Sequence, residues 1–368
     1  MVAPQTLTRM QLNRATLARQ MLLKRETVSA VDAVRRLCGM QAQEPKHPFI
    51  GLWTRVEGFR REQLFSALHE REIVRATLMR ATLHLMSAAD YAALRTALQP
   101  ALDGAMSAIG SRSQGLDLEQ VLPAARKLFA RRPHRFDELR AALSASFPEV
   151  DERALGYATR IKLPLVMVPS EDRWAFPPSA QFALAQQWLD EPLSDERLPE
   201  RLLEGYLAGF GPASAGDFGT WSGMRGAKRT LEDMRERLAV FHDESGRELF
   251  DLPDAPRPAA RAAAPARYLP EFDNLMLAHA DRTRVLADKH RSLVVTKNLR
   301  VRATILCNGF VAGTWTIKRT KTKAALAVSP FAELSQRTIK QLTSEGESLL
   351  AFAEPDAGTH ELVFAEAA

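Results

Sequence analysis

Two glutamines separated by one small residue, Gln41 and Gln43, are the side chains whose type and spacing first suggest chemistry in this sequence. They lie in "CGMQAQEP", residues 38–45, directly after an amphipathic helical pattern that Gly39 is suited to end. In an extended segment, residues two apart face the same side, so both amides would point one way. Together they offer carbonyl acceptors and NH₂ donors that can hold one water or grip one substrate edge. The competing interpretation is that they only satisfy backbone groups of a loop.

A second group of polar side chains lies in residues 74–86, which alternate as a β-hairpin does. With a turn near residues 79–81, the hairpin presents five polar side chains, Arg75, Thr77, Arg80, Thr82 and His84. A wing of this composition can press against a phosphate backbone or into a DNA groove. The alternative is a half-buried antiparallel hairpin with a polar solvent face, in which the histidine is packed rather than catalytic.

Two further polar segments lie nearer the C-terminus. In "LPEFDNLMLAHADRTRVL", residues 269–286, the polar positions are Asp273, His279, Asp281 and Arg282. We expect them to hydrogen-bond across a domain junction, and the alternative is a carboxylate–histidine pair that acts as a general base. A basic cluster follows, interpreted as a solvated β edge or a phosphate-contacting surface, and consists of Lys297, Arg300, Arg302, Lys318, Arg319, Lys321 and Lys323.

The elements that must position these side chains repeat one order, three helices followed by a β-hairpin, which is the winged-helix form of the helix-turn-helix. Helical patterns at 119–131, "RFDELRAALSASF" and "DERALGYATRIK" precede two strand-like runs, "LPLVMVP" and "RWAFP". Helices predicted at 197–210, 213–222 and 226–238 precede a hairpin that turns at Glu244-Ser245-Gly246. The first 90 residues fit the same order.

The sequence therefore predicts an α+β protein with winged-helix units at residues 1–115, 116–193 and 194–252, the first of which carries the glutamine motif and the polar hairpin. Residues 253–266, "PDAPRPAARAAAPA", are expected to form a Pro/Ala linker. Residues 267–368 are predicted to form a small β-rich, barrel-like region with a hairpin turn at Asn308-Gly309 and a helix near 333–346.

Charge is unevenly distributed, because residues 1–135 contain 21 Lys and Arg against 11 Asp and Glu in a chain of net charge +6. A basic N-terminal third is expected of a surface that binds a polyanion, although a solvated arginine-rich surface has the same composition. No run of 18 apolar residues predicts a membrane span, and the N-terminus lacks a signal-peptide core. The two cysteines and eight histidines match no metal-ligand spacing, which predicts a reduced cytosolic protein without metal.

These stretches together resemble the AlkZ/YcaQ family of bacterial winged-helix DNA glycosylases. The matching parts, in the expected order across nearly the whole chain, are "MQAQEP", "IVRATLMRATLHLMSAADY", "LPEFDNLMLAHADRTRVL" and "VAGTW". The family's catalytic motif is Gln-x-Gln or Gln-x-Asp with an apolar middle residue, so the resemblance assigns catalysis to Gln41 and Gln43 in the AlkZ-like form. Ala42 is smaller than the usual middle residue. The family's wing-like hairpin maps to residues 74–86, where the resemblance places DNA and lesion binding.

The resemblance implies three tandem winged helices around a C-shaped DNA-binding channel, with a C-terminal β-rich region. It also implies hydrolysis of the N-glycosidic bond of N7-alkylated purines, including unhooking of interstrand crosslinks or bulky antibiotic adducts. The expected partner is double-stranded DNA containing alkylated purines, bound by a monomer in the cytoplasm, at the nucleoid, without a membrane, a cofactor or a metal. Both a self-resistance role and a general repair role fit the resemblance.

The leading alternative is a non-enzymatic winged-helix transcriptional regulator, and a third hypothesis is a scaffold whose winged helices bind protein. A regulator usually needs a dimer and an exposed recognition helix with several base-reading side chains. The candidates for that helix, such as "DERALGYATRIK", contain few of them. The sequence therefore favours the glycosylase.

Overall fold

The computed structural model describes residues 5–366 and shows a mixed α+β fold. Its N-terminal part consists of β1 (Gln5–Leu7), α1 (Arg9–Arg19), α2 (Ala30–Arg36), β2 (Met40–Gln41), α3 (Lys46–Trp53), α4 (Arg61–His69), β3 (Ile73–Thr77), β4 (Leu83–Ser87), α5 (Ala88–Leu94) and α6 (Gln99–Ala105). Hydroxyl side chains cap several of these helices, Thr8 before α1, Ser29 before α2 and Ser87 before α5. The short helix α3 was not predicted from the sequence, whereas β2 begins the segment expected to be extended.

The next part contains α7 (Leu118–Arg131), α8 (Phe136–Ser146), α9 (Glu152–Lys162), β5 (Leu165–Met167), β6 (Phe182–Leu184) and α10 (Ala185–Leu189). The three helices predicted here are confirmed, and Asp151 caps the last of them. The strand predicted at "RWAFP" is wrong, because β6 is the partner of β5. The residues between fold as a turn in which Ala175 N–H donates to the Asp172 carbonyl, and the following Pro177 and Pro178 lack the N–H that a strand ladder uses.

The hairpin of β3 and β4 is the middle of one five-stranded sheet, with strand order β2-β4-β3-β5-β6. Every residue of β3 is buried, and Ala76 pairs with Val166 of β5. The expected solvent-facing wing and the half-buried alternative are therefore both wrong for β3, because the side chains on both of its faces are buried. Only the turn at Met79–Ala81 and the start of β4 reach less buried surroundings.

The third set of elements is α11 (Pro199–Phe210), α12 (Ala215–Ser222), α13 (Ala227–Asp233), β7 (Ala239–Asp243) and β8 (Glu248–Asp251). The predicted hairpin is confirmed, with Gly246 at φ +80° in its turn and its N–H donating to the Asp243 carbonyl. The helix expected at 226–238 ends earlier, at Asp233, and a short 3-10 turn follows. Strand β1 pairs in parallel with β7, which attaches the start of the described chain to this part.

The C-terminal part is a five-stranded sheet, in the order β13-β12-β11-β10-β9, packed against one long helix. Its elements are β9 (Arg267–Leu269), α14 (Arg291–Val294), β10 (Thr304–Cys307), β11 (Phe310–Arg319), β12 (Lys323–Pro330), α15 (Gln336–Ala353) and β13 (Thr359–Phe364). The predicted turn between β10 and β11 is confirmed, with Asn308 at φ +48° and Gly309 at φ +82°. Two left-handed residues in a row are what a two-residue hairpin turn requires, and Asn-Gly tolerates them best.

Two buried ion pairs join segments that are distant in the chain. Arg55, after α3, binds both carboxylate oxygens of Asp273, at 2.9 and 2.8 Å, and both side chains are almost fully buried. Arg19, at the end of α1, binds Asp251 of β8 at 2.7 Å. Within residues 5–366, none of the helices has the length and apolar character needed to cross a bilayer.

Removal of one charge from the Arg55–Asp273 pair tests how far this pair supports the fold. We expect Asp273→Asn to lower the free energy of unfolding by roughly 3 kcal/mol, because Arg55 would remain buried without its counter-ion. The matched control is Glu26→Gln, which breaks the exposed Arg36–Glu26 pair and should cost less than about 1 kcal/mol. Urea denaturation of both variants gives the comparison, and equal small losses would contradict the structural role of the buried pair.

Candidate active site

The glutamine motif opens into a cavity of about 570 Å³ between the N-terminal part and the C-terminal region. Gln41 and Gln43 both line it, together with the polar residues at the tip of the β3–β4 hairpin, Thr77, Arg80 and Thr82. Ala42, between the glutamines, is fully buried in the core. The alternation expected from the sequence therefore holds, with both amides on the cavity side.

A glycine sets the path of the chain into the motif. Gly39 ends α2 with a left-handed φ of +86°, and its N–H donates to the Val34 carbonyl. A Cβ at this position would lie 2.9 Å from the Leu85 carbonyl oxygen of β4, so a larger residue would push the two strands apart. The tight turn allows β2 to pair with β4, where Gln41 lies opposite His84.

Asn274 fixes the backbone of the motif from the other side. Its Oδ1 accepts a hydrogen bond of 3.0 Å from the Gln41 N–H, and its Nδ2 donates one of 2.6 Å to the Gly39 carbonyl. One buried amide therefore satisfies a backbone donor and a backbone acceptor along one edge of residues 39–41. The preceding Asp273 fixes the short turn that contains Asn274. The Oδ1 of Asp273 accepts hydrogen bonds from both the Leu275 N–H and the Arg55 guanidinium.

Arg80 orients the first catalytic candidate directly. Its guanidinium donates a 2.7 Å hydrogen bond to Gln41 Oε1 and another hydrogen bond to the Trp221 carbonyl. Arg80 and Ala81 both have left-handed φ values, +54° and +56°, which for residues with a Cβ stores strain at the cavity wall. Burial, with the nearby charge of Arg282, lowers the pKa of Arg80 to about 10, so the guanidinium stays protonated at neutral pH.

Arg75 lies behind the motif rather than on a DNA-facing surface. It is buried, and its guanidinium donates to the carbonyls of Ala42, at 2.9 Å, and Gln43, at 3.1 Å, while it stacks 4.8 Å from the Phe176 ring. A phosphate contact is not available to a side chain in this place. Arg75 instead holds the backbone of the second glutamine.

His84 is also buried and is not placed to act as an acid. Its Nδ1–H donates to the Thr82 carbonyl at 3.0 Å, and its Nε2 lies 3.4 Å from the Arg80 guanidinium. Burial first, and then the charge of Arg80, lower the pKa of His84 to about 3. The imidazole is therefore neutral in the physiological range, and its contribution is to hold the arginine that orients Gln41.

The polar residues of 269–286 take the structural role favoured by the sequence. Asp273 binds Arg55, His279 Nε2 donates to the Phe210 carbonyl at 3.0 Å, and Asp281 binds Arg247 at 3.1 Å. None of Asp273, His279 and Asp281 lines the cavity, so the general-base alternative has no support here. Arg282 does line it.

The remaining cavity walls are Glu44, Arg160, Phe272, Leu277 and the loop 295–301, of which only Arg300, in the basic cluster, was singled out from the sequence. Leu299 lies near the tip of this loop with φ +59° and is 77% exposed. Sequence periodicity does not place these positions at the motif, because tertiary packing brings them there, Arg160 from the last turn of α9 and the others from irregular segments. The available signals were Glu44, which directly follows the glutamines, and Arg300 in the basic cluster.

The site offers neutral amides and cations, with a single carboxylate. Among the described lining residues there is no lysine that could form a Schiff base, and Lys46, the nearest in sequence, binds Glu354 at 2.6 Å. Residues 5–366 contain no group of three or more side chains arranged to hold a metal ion. The arrangement suits the binding of a water and of an anionic backbone.

Comparison with known proteins assigns the class. A profile described as "DNA glycosylase AlkZ-like" matches residues 34–352, so this chain belongs to the AlkZ-like family of DNA glycosylases. It is similar to the "Interstrand DNA cross-link repair glycosylase" of Streptomyces sahachiroi, with 28% identity over 353 residues that cover 89% of this chain and 91% of the relative. The solved structure of "Streptomyces sahachiroi DNA glycosylase AlkZ" shares its fold, with a TM-score of 0.82, 22% identity, and coverage of 98% of this chain and 100% of that chain. These matches give no support to the transcriptional regulator.

The contacts of Arg75 generate a prediction that separates positioning from DNA binding. Arg75→Lys retains the charge but cannot donate along the guanidinium fork to two carbonyls, so we expect the single-turnover excision rate to fall about tenfold or more. The dissociation constant for undamaged duplex should change less than twofold. A large loss of DNA affinity with an unchanged excision rate would contradict the positioning role.

Proposed function

We propose that this protein hydrolyses the N-glycosidic bond of N7-alkylated purines in duplex DNA, with Gln41 and Gln43 holding the attacking water. The observation that carries the proposal is the projection of both amides, two residues apart, into one cavity whose described lining lacks a lysine nucleophile. The remaining residues proposed to contact the DNA or the lesion are Thr77, Arg80 and Thr82 at the hairpin tip. His84 and Arg75 act behind them, by holding Arg80 and the motif.

The chemistry explains why amides suffice. Alkylation at N7 gives the base a positive charge, so it leaves as a neutral group and needs no proton from a protein acid. The remaining tasks are to place a water at C1′ and to stabilise the positive charge that develops on the sugar. Amide oxygens perform both tasks without a change of protonation. Arg80 occupies one acceptor site of Gln41 Oε1, which fixes the amide and leaves its second acceptor site for the water.

We extend the proposal to interstrand crosslinks and bulky adducts, because the name of the Streptomyces relative assigns crosslink repair to that protein. A crosslinked base is tethered to the opposite strand and cannot rotate freely into a closed pocket. An open cavity at the edge of a DNA channel accommodates such a base. Support for a channel comes from the exposed Leu299 loop and the arginines that line the cavity.

We further propose that the fold comprises tandem winged helices, at residues 1–115, 116–193 and 194–252, followed by the linker 253–266 and the β-rich region 267–368. Two segments of the structure support this proposal, α7 to β6 and α11 to β8. Each contains three helices followed by two paired strands, which is the order of a winged helix. In this proposal the protein binds DNA as a monomer, without a cofactor. A chromosomal substrate would place it in the cytoplasm, at the nucleoid.

The reaction is tested with duplex DNA carrying one N7-methylguanine. We expect abasic sites that become strand breaks only after treatment with alkali, because a hydrolytic, monofunctional glycosylase has no lyase step. Excision should continue in EDTA, and borohydride should trap no protein–DNA adduct. Binding of the duplex without excision would instead favour a non-enzymatic DNA-binding protein, and a trapped adduct would contradict hydrolysis.

The roles of the two glutamines are tested by substitution. Gln41→Ala and Gln43→Ala should each lower the excision rate roughly a hundredfold to a thousandfold, as loss of one preorganised polar group does. The double variant should lose less than the product of the two, because both amides act on one water. Gln43→Asp should retain activity, since a carboxylate also stabilises a sugar cation.

Gln336→Ala, which removes an exposed amide at the start of α15, is the matched control and should retain the full rate. Full excision rates in both alanine variants of the motif would show that the assigned site is wrong. DNA affinity, measured separately by equilibrium binding, should remain close to that of the unsubstituted protein in all of these variants.

A further inference from the structure

The charges around the cavity are unequal in number. Four arginines, Arg80, Arg160, Arg282 and Arg300, line it, and Glu44 is the one carboxylate among its described lining residues. Arginines in this number suit the phosphates of a DNA strand. They also oppose any positive charge that forms between them, because like charges repel in a partly desolvated site.

Glu44 is the one acidic side chain among the described residues of this lining, and it is not paired with a cation there. Its side chain is exposed and makes no hydrogen bond or ion pair with another residue of the part described by the structure, 5–366. The neighbouring Lys46 does not pair with Glu44, because its ammonium binds Glu354, at 2.6 Å, and lies 5.7 Å from the Trp174 ring. Arg300, on the facing loop, is bound to Glu271 at 2.7 Å. The carboxylate therefore lies in the cavity lining near the charges of Arg75 and Arg300, without an ion pair to either.

The backbone on both sides of Glu44 is held. On the N-terminal side, the Arg75 guanidinium donates to the carbonyl of Gln43. On the C-terminal side, the His47 N–H donates to the carbonyl of Glu44 itself, at 3.2 Å. The carboxylate is thus attached to a fixed backbone next to the second glutamine. The flexible Glu44 side chain, attached to this fixed backbone, can approach a substrate group that binds between the two amides.

We propose that Glu44 is the counter-charge of the cationic sugar that forms during excision, and so a specificity-determining residue of the site. This inference rests on the proposed glycosylase function. The amides supply dipoles but no net charge, and the arginines of the lining oppose a cation. A carboxylate beside the motif offsets that opposition and favours a positively charged nucleotide over a neutral one.

Equilibrium binding to two abasic-site analogues tests this proposal without any bond cleavage. One duplex carries a pyrrolidine analogue, which is cationic at neutral pH, and the other carries the neutral tetrahydrofuran analogue of the same size. We expect the unsubstituted protein to prefer the cationic analogue by about fivefold, the scale of one solvent-accessible charge pair. Glu44→Gln should abolish that preference, and Glu44→Asp should retain most of it.

The control is Glu333→Gln, the same charge change at an exposed position between β12 and α15, which should leave the preference unchanged. A full preference in Glu44→Gln, or no preference in the unsubstituted protein, would overturn the role of Glu44. A preference that depends on Glu44 in a protein that excises no N7-methylguanine would leave Glu44 as the residue that favours a cationic nucleotide and contradict only the proposed reaction, so the two failures are distinguishable.

Discussion

The buried ion pair between Arg55 and Asp273 is the constraint on which the site depends. It joins the end of α3 to the segment after β9, and both side chains are almost fully buried. Asp273 precedes Asn274, whose amide binds the backbone of the motif at Gly39 and Gln41. The catalytic candidates lie on the N-terminal part, yet the group that fixes them comes from the C-terminal part. The site therefore exists only when the two parts are docked.

Charged and buried groups surround the glutamines, although the glutamines themselves are neutral. Arg75 holds the motif through backbone carbonyls, Arg80 holds the Gln41 side chain, and the neutral His84 packs against Arg80. Each of these side chains loses conformational freedom to its contacts, so the Gln41 amide and the backbone of Gln43 are oriented before substrate binds. Preorganisation of dipoles is what stabilises developing charge without reorganisation during the reaction. This arrangement suits a substrate whose leaving group is already activated.

Local patterns in the sequence predicted the parts of the fold that depend on local physics. The helices α7, α8 and α9 follow their apolar periodicity, the Asn308-Gly309 turn follows its backbone preference, and the alternation of residues 41–43 places both amides on one side. The strand at "RWAFP" failed because alternation carries no information about which strand becomes the partner. Arg75 was assigned to a surface because the groups that its side chain contacts, the carbonyls of residues 42 and 43 and the Phe176 ring, are distant in sequence. The cavity walls at Phe272 and 295–301 depend on docking of the two parts and leave no local pattern.

The central claim is that Gln41 and Gln43 hold one water against C1′ of a cationic nucleotide. The most direct test is a crystal structure of the protein bound to duplex DNA that contains a cationic abasic analogue and the released N7-methylguanine. We predict one ordered water within about 3 Å of both side-chain amides, on the face of the sugar opposite the departed base. A sugar bound away from the cavity, or amides turned from it with no shared water, would contradict the account.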